Sequence, residues 1–223
     1  MKKTTIENLE VLINEGEPGQ PAIILLHGYG ANCEDLYPLS DYLKTKSPMT
    51  WIFPNAPVSL PMYYGSRAWF EIDMMELQQS LMTGKHRYFA DKIPSGLINA
   101  SEQIQKMMKV VKKDFGNFYI GGFSQGAMVA TDAVLHSDEN PLGLILMSGA
   151  FVAEERWKKR LPLHKNLKIF QDHGESDPVL SFSEAKRLSE LFLANGNSLQ
   201  FLPFGGGHEI PPPVLKQLQQ FLL

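Results

Sequence analysis

Five consecutive apolar residues, Ala22-Ile23-Ile24-Leu25-Leu26, make the longest unbroken apolar run of the chain. A run that short and that continuous predicts a strand buried on both faces. Other short runs recur along the sequence. Glu7 to Ile13 ends at the turn-forming Gly16-Glu17-Pro18-Gly19, and Trp51 to Phe53, Phe118 to Ile120, Leu142 to Met147, Leu167 to Phe170 and Leu199 to Leu202 follow. That gives about seven strands.

Between the strands the period lengthens. Leu97, Ile98, Ile104, Met107, Met108 and Val111 keep helical spacing. The pattern predicts a helix starting near Asp91 as N-cap, tolerating Pro94 in its first turn and stopping at Gly116. Asp35 to Lys44, Gln125 to Leu135, Ser183 to Ala194 (with Ser183 as a cap) and Val214 to Leu223 are the other helical segments. Strand and helix in alternation predict an α/β layout, a mostly parallel sheet with helices on both faces. No repeat or low-complexity linker interrupts it, so residues 1–223 read as a single domain.

One stretch breaks the alternation. Pro54 to Lys85 contains Pro54, Pro57 and Pro61 and also Met62, Tyr63, Tyr64, Trp69, Phe70, Met74, Met75 and Met82. A connection that long is more often functional than idle. Its apolar residues either fill the core or form a wall or lid over an apolar ligand.

Composition narrows the class. The chain has 223 residues, 43% hydrophobic and 20% charged, with a net charge of −3. It therefore presents no basic footprint for nucleic acid. Cys33 is the lone cysteine, which excludes an internal disulfide and gives no zinc pattern. Met1 to Asn14 has no long apolar core and no small-residue cleavage site, so a signal peptide is not expected. No run approaches membrane-spanning length. The expectation is a cytoplasmic protein.

The chemistry begins at Gly122-Phe123-Ser124-Gln125-Gly126. G-x-S-x-G alone is a modest signal, but here a strand precedes it and a helix follows. In that setting the serine sits on a sharp strand-to-helix turn with its hydroxyl exposed at the sheet edge. A serine hydroxyl is a weak nucleophile and needs a base oriented by a carboxylate. Where the three follow in the order Ser, acid, His, His208 is the candidate base. It lies in Gly205-Gly206-Gly207-His208-Glu209, between the last strand and the last helix. His136, at a helix end, and His164, in a polar loop, fit less well. The acid should come from the loop after Leu167 to Phe170, where Asp172, Glu175 and Asp177 compete. Spacing favours Asp177 and leaves open Asp172, which could instead fix the loop through backbone amides.

The oxyanion formed at an attacked carbonyl needs two N–H donors. The backbone of Gln125, next after the nucleophile, is one. Tyr29, in the glycine-bearing loop His27-Gly28-Tyr29-Gly30 after the second strand, is the other candidate. His27 precedes Ser124 and reads as a structural histidine bonding that loop.

Taken in order, Leu26-His27-Gly28-Tyr29-Gly30, Arg67-Ala68-Trp69-Phe70, Gly121 to Gly126, His173-Gly174-Glu175-Ser176-Asp177-Pro178-Val179 and Gly207-His208-Glu209 resemble the phospholipase/carboxylesterase family, which includes the acyl-protein thioesterases. The resemblance runs from about Ala22 to the C-terminus. It implies an α/β-hydrolase with little or no cap domain, a triad of Ser124, Asp177 and His208, and an oxyanion hole from the Tyr29 and Gln125 amides. Trp69 and Phe70 would lie against the substrate. It implies hydrolysis of a small acyl ester or thioester, or of a lysophospholipid, with no cofactor or metal, and it allows a homodimer. Glu71 stands where many relatives have Asp, and Ala31 where the eukaryotic thioesterases tend to have Asp, which sets the chain nearer the bacterial esterases. A peptidase or amidase on the same scaffold, or a non-catalytic ligand-binding protein, is the competing expectation.

Overall fold

In the computed structural model, which describes residues 2–61 and 64–223, the chain opens with a hairpin of β1 (Lys2–Ile6) and β2 (Leu9–Asn14). The apolar pattern predicts one strand from Glu7 to Ile13. Instead Glu7 and Asn8 form the turn, at φ 49° and 65°, the backbone that a two-residue hairpin of right-handed twist demands. β1 lies at the sheet edge with mostly exposed Lys and Thr side chains, so it carries no apolar run.

β3 (Ala22–Leu26) and β4 (Thr50–Pro54) are buried along their whole length. β5 (Val58–Ser59) and β6 (Arg67–Ala68) form a small separate ladder. β7 (Phe118–Phe123), β8 (Gly143–Met147), β9 (Lys168–Gly174) and β10 (Ser198–Phe204) complete a main sheet of eight strands in the order β1-β2-β4-β3-β7-β8-β9-β10. From β4 to β10 every neighbouring pair is parallel, and only the pairings of β2 are antiparallel.

Alternation along β3 sends Ile24 and Leu26 to one face and Ile23 and Leu25 to the other. The first face packs on α3 (Leu97–Phe115) through Ile104, Met107 and Val111, and on α4 (Gln125–Leu135). The second packs on α7 (Pro212–Leu222) through Val214 and Leu218. Apolar area buried this way contributes on the order of 25 cal/mol per Å², and it holds the C-terminal strand ends in fixed register. In parallel sheets that end carries the binding loops.

Several boundaries move for local reasons. α3 starts at Leu97, after Asp91 and Pro94, because Gly96 takes a left-handed φ of 91° and Leu97 N–H bonds back to Pro94 O at 3.0 Å. α1 is confined to Pro38–Tyr42. α6 (Phe182–Ala194) is capped by Ser181, whose hydroxyl accepts from Glu184 N–H, and Ser183 lies inside it. Two helices appear that the pattern does not predict. α5 (Glu154–Arg160) has Glu154 and Glu155 in its first turn and Lys158, Lys159 and Arg160 in its last, a charge order that suits the helix dipole.

The other is α2 (Met74–Thr83), within the long connection. Asp73 Oδ1 caps it by accepting from Met75 and Glu76 N–H at 2.9 and 3.0 Å, and Gly84 closes it at φ 65°. The aromatic and Met residues of this connection divide. Trp69 and Phe70 are buried, whereas Tyr64, Met75 and Met82 are exposed; Met62 and Tyr63 lie outside the described residues. No helix of the described residues is long and apolar enough to cross a membrane.

Candidate active site

β7 delivers Ser124 to the sheet edge. Its backbone sits at φ 55°, ψ −117°, a combination that non-glycine residues seldom adopt and that costs on the order of 1–3 kcal/mol. The turn persists because both sides are held. Ser124 N–H bonds Met147 O at 2.8 Å, and α4 begins at the next residue. A side chain at Gly126 would fall onto the Leu26 carbonyl, so glycine there lets α4 press against the end of β3.

β9 and β10 bring the other two groups. Glu175 N–H bonds Phe204 O at 2.9 Å and Ser176 N–H bonds Gly206 O at 3.0 Å. The loops after the two strands touch so closely that a Cβ on Gly174 would overlap Gly207 O. This contact fixes Asp177 beside His208. Nδ1 of His208 lies 2.7 Å from Asp177 Oδ2, and Nε2 lies 2.9 Å from Ser124 Oγ. A carboxylate only accepts, so Nδ1 carries the proton and Nε2 is free to accept from the serine hydroxyl. The Phe123 ring supports the imidazole at 4.8 Å between centroids.

Asp177 is buried. Burial alone would raise its pKa, but the His208 hydrogen bond and the Leu180 and Val179 N–H groups, which donate to Oδ1 at 3.0 and 2.8 Å, outweigh it and hold the carboxyl below its ordinary range. Asp172 is on β9 itself. Its carboxyl bonds no backbone amide, so the loop-fixing role weighed for it belongs to Asp177 Oδ1. Glu175 is exposed.

A buried histidine and an exposed one steady the Asp177 loop. His173 Nε2 lies 3.1 Å from Leu180 O and 3.3 Å from Asp177 Oδ2. His86, just after α2, approaches the Asp177 carbonyl at 2.7 Å.

The loop after β3 faces the elbow. Among the described residues neither Tyr29 N–H nor Gln125 N–H donates to a protein acceptor, and both residues line the cavity beside Ser124. His27 is buried; its Nε2 accepts from Ala56 N–H at 3.1 Å, which places the proton on Nδ1, 2.7 Å from Gly28 O. Burial pushes its pKa down to about 4, so the ring is neutral. It shapes the loop.

Trp69 and Phe70 separate in role. Trp69 is buried, its indole N–H donating to His27 O at 2.8 Å, and it is absent from the lining of the Ser124 cavity. Expected at the substrate, Trp69 instead braces the Tyr29-bearing loop from behind. Phe70 does line the cavity. The Gln125 side chain joins the two, accepting from Trp69 N–H at 2.9 Å and donating to Phe70 O at 2.8 Å.

The cavity has about 640 Å³ of empty space, part of it open to solvent. Phe70, Ile72, Leu77, Phe89, Met128, Val179 and Leu180 make it mostly apolar, and Arg87 is also in the wall. Sequence reading misses Ile72, Leu77, Arg87 and Phe89 as cavity residues. The Asp73 cap and the Gly84 stop were the available signals for the helix that carries Leu77. No group of His, Cys, Asp and Glu among the described residues is arranged to hold a metal ion.

Comparison with known proteins agrees with this architecture. The acyl-protein thioesterase 1 of Candida albicans is 27% identical over 224 residues, covering 93% of each chain. The crystal structure of esterase PE8 superposes with a TM-score of 0.81 at 22% identity, covering 96% of this chain and 97% of that one. A carboxylesterase from Bacillus cereus gives 0.72 at 18% identity, with 96% and 93% covered. The phospholipase/carboxylesterase family model matches residues 7–223, and the chain belongs to that family.

Proposed function

We propose that this protein is a serine hydrolase that cleaves carboxylic esters or thioesters through an acyl-enzyme on Ser124. One observation carries the reading: a single imidazole bridges Ser124 Oγ and the Asp177 carboxylate at hydrogen-bonding distance on both sides. Relatives named thioesterase and carboxylesterase support the substrate class, and the apolar cavity beside Ser124 suits an acyl chain.

In this reading Ser124 Oγ attacks the acyl carbon while His208 Nε2 takes its proton. Asp177 stabilises the imidazolium, and the Tyr29 and Gln125 N–H groups receive the carbonyl oxygen as it becomes negative. Collapse breaks the bond to the alcohol or thiol, which leaves with the proton from Nε2. Water then gives a proton to Nε2, attacks the acyl-enzyme and releases the acid and the free serine. Each step draws on the chain's own groups and water. The lone Cys33 accords with a cytoplasmic enzyme.

Labelling with a fluorophosphonate, with the adduct located by mass spectrometry, tests the nucleophile. The expected result is a single adduct on Ser124 and turnover of oxygen and sulfur esters well above that of the matching amide. Labelling elsewhere, or faster cleavage of the amide, would overturn the reading.

A further inference from the structure

Arg87 is out of character with the cavity it borders. The neighbouring wall is Phe70, Leu77, Phe89 and Leu180, and among the described lining residues Arg87 alone bears a permanent charge. The Tyr29 phenol is neutral, burial pushing its pKa further up. Asp177 lies behind the His208 ring and is not part of the lining.

Three other arginines are committed. Arg156 grips Asp132, Arg160 donates to Leu135 O, and Arg187 holds Glu154 and Glu184. Arg87 forms no ion pair with the described residues, and its Nε–H is buried with no hydrogen-bond partner. Glu76 and Asp73 act on it only from a distance, and Asp73 Oδ1 is engaged in capping α2. The guanidinium instead rests over the Phe89 ring, 4.6 Å from its centroid, which fixes it against a cavity wall. A buried donor without an acceptor costs free energy, and an arginine fork is shaped for an oxyanion. An apolar acyl chain alone would leave that cost uncompensated.

We propose that Arg87 is a specificity residue that receives an anionic group of the substrate, so that the favoured esters or thioesters carry a carboxylate at the end of the acyl chain or on the leaving group. The inference rests on the Ser124 hydrolase reading and goes further by naming the substrate class. The cavity accommodates the apolar stretch between the scissile carbonyl and the anion, and the Arg87 N–H groups replace the water that the carboxylate gives up.

The test is a ratio of kcat/KM values in two series. On the acyl side, nitrophenyl hexanoate is compared with the nitrophenyl monoester of adipic acid, which replaces the terminal methyl by a carboxylate. On the leaving-group side, phenyl butyrate is compared with carboxyphenyl butyrate. In Arg87→Met the anionic-to-neutral ratio should fall roughly tenfold to a hundredfold in one series, the scale of one charge-assisted hydrogen bond. The series in which it falls identifies which part of the substrate meets Arg87. Arg87→Lys should keep most of the preference. Fluorophosphonate labelling of Ser124 in each variant checks that the site is intact. A ratio within twofold of the parent in both series, with neutral esters still cleaved, would overturn the role of Arg87 alone. If the parent chain cleaves neither ester nor takes up the label, the hydrolase reading falls and this inference falls with it.

Discussion

The side chain of Gln125 accepts from the backbone N–H of Trp69 at 2.9 Å, so the residue that follows Ser124 also fastens the long connection to the sheet edge. The same carboxamide donates to Phe70 O at 2.8 Å. Gln125→Leu preserves the backbone amide while leaving two buried backbone groups unpaired. It should destabilise the fold by about 2–6 kcal/mol, at roughly 1–3 kcal/mol for each orphaned group. It should also raise KM, because Phe70 lines the cavity. Urea unfolding together with steady-state kinetics measures both. An unchanged midpoint would show that the clamp is idle.

The strained elbow gives a second expectation. Ser124→Ala and Ser124→Gly should both lose turnover by several orders of magnitude, since a triad without its nucleophile retains little beyond binding and oxyanion stabilisation. Their stabilities should differ. At φ 55°, ψ −117° glycine relieves strain that alanine keeps, so the glycine variant should be the more stable by about 1 kcal/mol, net of its greater freedom when unfolded. Thermal melts of the two proteins side by side decide it.

How much of this was visible in the sequence varies with the range of the interaction. The doubly buried β3, the elbow at Ser124 and the glycine loop before His208 are local patterns, and each could be read from a few adjacent residues. Spacing favours Asp177 over Asp172 without deciding between them. The choice depends on β9 extending through Gly174, which puts Asp172 in the sheet and Asp177 in the loop. The β1–β2 hairpin was hidden because its turn uses Glu7 and Asn8 in place of glycine, and its edge strand is polar. Arg87 and the Gln125 side chain were not legible at all. Their significance comes from which surfaces the long connection brings together, and no periodicity records that.

Asp132 is an anchor remote from the chemistry. Buried in α4, it accepts from Arg156 Nε and Nη2 at 2.9 and 3.0 Å and from Trp157 Nε1 at 2.9 Å, tying α5 to the fold. Burial opposes its charge, but the Arg156 hydrogen bonds and the other donors outweigh that and keep its pKa below the ordinary value. A carboxyl depressed in the folded state contributes stability above its unfolded pKa of about 4 and loses it as pH falls through the folded value. Asp132→Ala should cost about 3–5 kcal/mol at neutral pH, the scale for breaking a buried ion pair. The gap to the parent should narrow below about pH 4. A gap independent of pH would show that packing, and not the charge, carries the effect.

Asp172 should behave with the opposite sign. Its carboxyl is fully buried on the sheet face that also carries Met147 and Phe170, and neither oxygen has a hydrogen-bond partner among the described residues. Burial pushes its pKa well above the carboxylate range. The folded chain therefore holds a proton that the unfolded chain releases near pH 4. Stability attributable to this group falls as pH rises from there towards the folded value. Asp172→Asn removes the titration while keeping the shape. It should leave stability near that of the parent at about pH 4 and above that of the parent at about pH 8. Urea unfolding at the two pH values measures the difference. An equal effect at both would mean that the folded chain tolerates the ionised carboxylate, and that the buried face is wetter than its apolar neighbours indicate.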